Sequence, residues 1–339
     1  MSDAGASLVA VDQAWEEAIE AHPEANFLQS HHWAAFQERL GKVVVRETVH
    51  AAGATGLFLA VKEVAKRGTY LTIAGGPLLD WSNQQLVDAV FSKIKQVAKQ
   101  HSCQFVRFRP QVVDAPSLRA LAKQRGWVES PMHVTADLTL QLDLTLSEEE
   151  LLAGMRKNHR YSIRKAEKDG VVTSISTDVA QMHQFYQLQA EVAKRHAFVP
   201  FSEQFLTEQF AVFAQAGAAA LVHAHKDGQL LASAFIIFYN HEAVYHYGVS
   251  TELNTTFPGS YAAQWAAIKE AKARGCTRYN FWGIAPADQP QHRFAGVSLF
   301  KRGFGGSEVP YLPAHDIVLT PKYWLTYGFE WLRKKTRKL

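Results

Sequence analysis

Lys301 stands between Phe300 and a glycine-rich turn in the run Phe-Lys-Arg-Gly-Phe-Gly-Gly at 300–306. A lysine presented just before such a turn can bring a cation to a reacting carbonyl, where it would stabilise the oxyanion of a tetrahedral intermediate. Tyr245 and Tyr247 are two apart in an apolar run, so a strand would put both on one face, with their hydroxyls lining the cleft that Lys301 reaches. Two core tyrosines are the alternative. A third group is basic: Arg156, Arg160, Arg164 and Lys168 recur every four residues, on one helix face, while Leu152, Met155, His159, Ile163 and Ala166 mark another. Such a ridge attracts the phosphates of tRNA or of a diphosphate-linked substrate, or else is a solvated surface helix. His223 and His225 share a strand face without a third ligand in view. No zinc spacing, nucleophile elbow, Walker loop or dinucleotide fingerprint follows a strand, so neither a metal nor a cofactor is expected.

These groups must be positioned by a repeated unit. His50 to Ala60 and His223 to Ser233 align without a gap at an offset of 173, and the same offset superposes Gly75 on Gly248, Lys99 on Lys272, Cys103 on Cys276 and Phe108 on Phe281. Each copy reads as opening helix (Glu24 to Leu40; Val179 to Ala197), hairpin, strand (Tyr70 to Ile73; Ala243 to Val249), amphipathic helix and strand (Phe105 to Phe108; Tyr279 to Trp282). Leu138 to Ser147 is read as the crossover, with Ser147 capping a helix and Glu150 completing a capping box. A changed offset pairs Arg125-Gly126-Trp127 with Arg302-Gly303-Phe304, and only the second copy has Phe-Lys before it. Chemistry is therefore expected in the second copy, and acceptor binding in the first.

A chain of 339 residues with 47% hydrophobic content suits two domains. No signal peptide and no long uncharged apolar span is read, so a cytoplasmic protein is expected. Cys103 and Cys276 are taken as buried thiols. The net charge of +4 is mild, but Arg333, Lys334, Lys335, Arg337 and Lys338 follow an aromatic segment containing Tyr323, Trp324, Tyr327, Phe329 and Trp331. That combination suits anionic lipid or nucleic acid, with a packed terminal helix and a frayed end as the alternative.

The closing order of strand, loop, short helix and Phe-Lys-x-Gly-Phe-Gly resembles the end of a GNAT-like acyltransferase domain. The fold class is therefore α/β (α+β), with two tandem GNAT-like domains from internal duplication. The first is placed at 1–145 on the acceptor side and the catalytic, donor-side second at 146–306, with 307–339 packing back on the first. In such enzymes a glycine-rich loop normally cradles the acyl-CoA pyrophosphate. Here that place holds Asn254-Thr255-Thr256-Phe257-Pro258-Gly259-Ser260, which makes acyl-CoA the weaker donor.

FLQSHHWAAF, the MRKNHRYSIRKAEKDGV helix, VYHYGVST, YNFWGI and GVSLFKRGFGG together resemble the FemABX family of aminoacyl-tRNA-dependent, peptidoglycan bridge-forming transferases, in a compact form without a coiled-coil arm. The resemblance implies transfer of an amino acid from aminoacyl-tRNA to the amine of the third stem-peptide residue of lipid II or UDP-MurNAc-pentapeptide. A monomer in the cytoplasm is expected, with the basic C-terminus suited to peripheral contact at the inner membrane face. Lys301, with Phe300 beside it, would meet the developing charge and the tRNA acceptor end, and Tyr245 and Tyr247 would line the acceptor channel. Trp33, Arg39, Lys42, Arg109, Arg156, Arg160 and Arg164 would hold substrate. Gln37 stands where relatives often carry a phosphate-binding lysine, Phe201 stands four residues before Phe205 where an arginine is expected, and Arg109-Pro110 replaces an acidic residue before proline. A GNAT-fold N-acyltransferase acting from acyl-CoA or a carrier on a non-cell-wall amine is the alternative.

Overall fold

The computed structural model describes residues 13–196 and 199–337. Helices α1 (Gln13–Glu20) and α2 (His31–Arg39) precede the antiparallel strands β1 (Val44–Ala51), β2 (Ala54–Ala65) and β3 (Gly68–Gly75). Helix α3 (Gln84–Gln100) then crosses over to β4 (Phe105–Pro110), parallel to β3, and α4 (Pro116–Gln124) leads to the short β5 (Val128–Glu129). The second half runs β6 (Leu138–Asp143), α5 (Glu148–Gly154), α6 (Lys157–Lys168), β7 (Val172–Ser176), α7 (Met182–His196), α8 (Glu203–Gln215), β8 (Ala219–Lys226), β9 (Gln229–Tyr239) and β10 (Glu242–Ser250). It continues through α9 (Gly259–Ala273), β11 (Arg278–Gly283), α10 (Ala295–Arg302), β12 (Ser307–Pro310), β13 (His315–Val318) and α11 (Tyr323–Arg337).

Two sheets result, ordered β1-β2-β3-β4-β13-β5 and β7-β8-β9-β10-β11-β6-β12. The duplicated run is visible in both: hairpin, third strand, crossover helix and parallel fourth strand. On the side away from β3 and β10, the neighbours of β4 and β11 come from elsewhere in the chain. Strand β6, read in the sequence as a crossover, pairs antiparallel with β11, and β13 pairs antiparallel with β4. Residues 307–310 also differ from expectation, because β12 joins β6 in the second sheet and only the chain from β13 onward lies on the first. A four-residue strand with no apolar alternation, Ser-Glu-Val-Pro, carries no pattern that would assign it to a sheet.

Burial explains the patterns. Leu86, Val90, Ile94 and Val97 press one stripe of α3 on Phe58, Leu71 and Phe108. In the second sheet the central strands are covered on both sides: Ala234, Ile236 and Phe238 of β9 meet the α9 layer, while Phe235 and Ile237 face α7 and α8. This two-sided burial is why Leu-Leu-Ala-Ser-Ala-Phe-Ile-Ile-Phe is almost continuously apolar. Phe27 and Leu28, from the first half, complete the core on the α7/α8 side. Their segment is fixed by Asn26, which donates to the Gly75 carbonyl (2.8 Å), and by Gln29, which donates to the Ala74 carbonyl (2.7 Å) and accepts from the Leu59 N–H (2.7 Å). A Cβ on Gly75 or Gly76 would overlap these two side chains, so that glycine pair serves a close approach rather than a phosphate. The Ser147–Glu150 capping box is present, and both cysteines are free and buried.

Candidate active site

Strands β10 and β11 are parallel neighbours for three residue pairs, ending at Val244 and Asn280, and then part. Two irregularities open them. In β10 the register shifts between Tyr245 and Tyr247, so His246 is a bulge. In β11 the register shifts between Asn280 and Gly283, where Trp282 takes a left-handed φ of 62° and its N–H is held by Asn280 Oδ1 at 2.9 Å. A bulky aromatic in that conformation is strained, and such strain persists where surrounding structure enforces it.

The bulge corrects one expectation. Tyr245 and Tyr247 do not share a face, because the extra residue reverses the alternation. Tyr245 packs with the α9 layer, edge-on to Phe281, and its hydroxyl occupies the space a Cβ on Gly248 would need. Tyr247 turns to the other side with His246, whose ring centroid lies 4.1 Å away, and with Phe235 and Phe201. Burial raises the Tyr245 phenol to about 12 and holds the His246 imidazole down at about 3, so both are neutral.

Lys301 lies on the Tyr245 side. It is buried in α10, its ammonium donates to the Gly283 carbonyl at 2.7 Å, and Nζ sits 5.7 Å from the Tyr245 ring centroid. Among the described residues no carboxylate pairs with it, and burial alone lowers its pKa from 10.5 to about 7. A lysine near pH 7 can act as a cation and can also exchange its proton. Phe300 packs among His159, Tyr261 and Phe304, and the neutral His159 ring donates to the Phe300 carbonyl at 2.8 Å. Gly303 is required beneath that ring, since a Cβ there would overlap it.

On the opposite side, a cleft of about 410 Å³ lies between the two sheets. Trp33, Gln37, Lys42, Glu63 and Thr72 line it from the first half, and Phe201, Phe205, His246, Tyr247 and Trp282 from the second. Among the described residues its one cation, Lys42, is paired with Glu63 at 2.7 Å. Buried Gln37 Oε1 and Thr135 Oγ1, both on the wall, have no protein partner, so a polar ligand could satisfy them.

The remaining sequence candidates separate. Trp33 and Lys42 reach the cleft, whereas Arg39 is on the surface and bridges to Glu208 of α8 at 3.5 Å. Arg109 does not face substrate: it is buried, stacked 4.5 Å from the Tyr311 ring centroid, and hydrogen-bonded to the Ala136 carbonyl, with its pKa lowered to about 10 by burial. It holds the segment 134–137, where Ala136 packs against Gly283. Arg156 and Arg164 are exposed. Arg160, expected on the same ridge, turns back to the carbonyls of Ala153 (3.2 Å) and Met155 at the end of α5, because those terminal carbonyls lack helical partners. His246, Trp282 and Glu63 were not singled out by the sequence, where only the flanking Tyr-x-Tyr and the YNFWG run hinted at them.

Comparison with known proteins supplies the lineage. Residues 12–120 match the FemAB family, and residues 153–292 match an acetyltransferase (GNAT) domain. The lipid II:glycine glycyltransferase of Staphylococcus aureus (strain USA300) is 21% identical over 387 aligned positions, covering 91% of each chain. The crystal structure of FemX superposes with a TM-score of 0.83 at 17% identity, covering 95% of this chain and 99% of that one.

The chain is similar to FemABX proteins over most of its length.

Its tandem architecture is shared with a tandem GNAT protein from the clavulanic acid biosynthesis pathway, at a TM-score of 0.54 and 14% identity over 83% of this chain and 84% of that one. The GNAT domain match and the glycyltransferase relative are those of an acyltransferase. One feature of this chain bears on the donor. At the start of α9, where a GNAT enzyme would cradle pyrophosphate, the Ser260 N–H is already taken by Asn254 Oδ1 at 2.7 Å, and Gly259 lacks a side chain because Leu231 fills that space.

Proposed function

We propose that this protein transfers an amino acid from aminoacyl-tRNA to the amine of the third stem-peptide residue of a peptidoglycan precursor, lipid II or UDP-MurNAc-pentapeptide. The observation that carries the reading is Lys301: a buried ammonium without an acidic partner, held by Gly283 where β10 and β11 part. The acceptor amine attacks the ester carbonyl, forming the N–C bond and a tetrahedral oxyanion. The C–O bond to the terminal ribose then breaks, and the proton lost by the amine ends on the ribose oxygen. Protonated Lys301 would stabilise the oxyanion, and a pKa near 7 suits it to pass a proton to the leaving oxygen.

The cleft between the sheets would hold the acceptor, its amine reaching Lys301 through the gap where β10 and β11 part. Its aromatic walls and, among the described residues, the unpartnered oxygens of Gln37 and Thr135 suit the peptide and sugar of a precursor, and the Lys42–Glu63 pair, the one ion pair of the described lining, suits them better than a bare diphosphate. Arg156 and Arg164, both exposed, would meet tRNA phosphates. The occupied N-terminus of α9 favours this donor over acyl-CoA. The reading places a monomer at the inner face of the cytoplasmic membrane. Purified protein incubated with charged tRNA pools and either precursor should add one aminoacyl mass to the precursor. No gain with any charged tRNA, together with a gain from acyl-CoA, would replace this reading by the N-acyltransferase one.

A further inference from the structure

Helix α11 is amphipathic in the inverted sense. Three of its polar groups point inward: the Tyr323 hydroxyl donates to Asp316 at 3.0 Å, Glu330 accepts from Arg107 at 2.7 Å, and Thr326 is buried. Its large apolar side chains point out, with Leu325 75% exposed, Leu332 56%, Trp324 53% and Trp331 45%. The two leucines and the two tryptophans are each seven residues apart, so at 3.6 residues per turn they form one outward face, with Phe329 beside it. Nothing within the fold gains from that arrangement, and contiguous exposed apolar surface of this kind marks a docking site.

We propose that the outer face of α11 docks on an anionic lipid bilayer. The charge around the face selects this partner. Glu330 is the one acid in α11 and it faces inward, while Lys322, Arg333 and Lys335 are exposed and Arg67, from the β2–β3 turn, lies 3.3 Å over the Phe329 ring. Beside the face, a cavity of about 550 Å³ lies between the helix and residues 129–131, lined by Tyr327, Trp331, Lys334 and Lys335, with Glu129 as its acid. It is large enough for a lipid phosphate headgroup, and Lys335 Nζ is 3.8 Å from the Trp331 ring centroid at its wall. Tryptophan, leucine and phenylalanine flanked by lysine and arginine is the composition of a helix lying in the headgroup plane. No helix among the described residues is long and apolar enough to cross a membrane. A second copy of the chain is a poorer occupant, since two such faces would oppose lysines and arginines with no acid between them. The inference is independent of which acyl donor is used.

The test is flotation of the full chain with vesicles of phosphatidylcholine alone and of phosphatidylcholine mixed with phosphatidylglycerol. Binding is expected only to the phosphatidylglycerol vesicles, weakening with salt. The double variant Leu325→Glu/Leu332→Glu should abolish it, and Lys334→Gln/Lys335→Gln should weaken it by about tenfold or more. All substituted side chains are at least partly solvent-facing, and circular dichroism checks that both variants fold. Absence of binding by the native chain, or equal binding by both variants, overturns the proposal. So does light scattering that shows a dimer converted to monomer by Leu325→Glu/Leu332→Glu, which would make a second copy the occupant.

Discussion

Lys301 combines burial, a single carbonyl partner and a pKa near 7, and each property has a separate consequence. For turnover, Lys301→Met should cost at least about tenfold, or ~1.4 kcal/mol in the barrier, and unchanged turnover would remove Lys301 from the mechanism. For stability the sign is opposite. The unfolded chain holds the lysine proton up to about pH 10.5 while the native chain releases it near 7. The native state is therefore penalised fully below pH 7, and the penalty fades as pH rises towards 10.5. Lys301→Met, which relieves it, should raise Tm at about pH 6 by more than it loses with the Gly283 bond, worth ~1 kcal/mol, and the gain should shrink by about pH 10. A gain independent of pH would place the pKa elsewhere. Tyr247→Phe tests the acceptor side: the hydroxyl belongs to the cleft wall, so KM for the precursor should rise roughly threefold to tenfold with kcat little changed. A fall in kcat alone would put Tyr247 with Lys301.

At the scale of elements, the sequence made some things legible and hid others for physical reasons. The apolar stripe of α3 and the Ser147–Glu150 cap are local patterns, and both could be read directly. The bulge at His246 could not, because one extra residue in a strand leaves no mark on composition while it reverses every later side chain. The same limit hid the fate of Arg109 and Arg160, basic residues expected on the surface or at substrate that are instead taken by Tyr311 and by the end of α5. Strand β13 was equally hidden, since its place beside β4 depends on a contact across most of the chain. Buried Arg107 secures it, bonded to Asp316 at 2.8 Å through both Nε and Nη2 and to Glu330 of α11. Arg107→Leu would strand the buried Asp316 carboxylate and should cost ~3–5 kcal/mol in urea unfolding. A loss below about 1 kcal/mol would mean that β13 is held by packing alone.

At the scale of the whole molecule, the two sheets are laced together rather than strung in series. Phe27 and Leu28 enter the second core, and β13 returns to the first sheet after β12 has joined the second. The cleft is thus walled by both halves, with Lys301 behind the sheet that forms one wall. The duplication was readable from a constant offset, and its consequence, a site assembled between copies, was readable only from the fold. In the proposed function this assembly moves an aminoacyl group from tRNA. The most direct measurement is the intact mass of the precursor after incubation with a charged tRNA pool, run with and without prior ribonuclease treatment and with Lys301→Met in parallel. One added aminoacyl residue is expected, lost on ribonuclease treatment and strongly reduced in the variant. A mass gain that survives ribonuclease, or one equal in the variant, would contradict it.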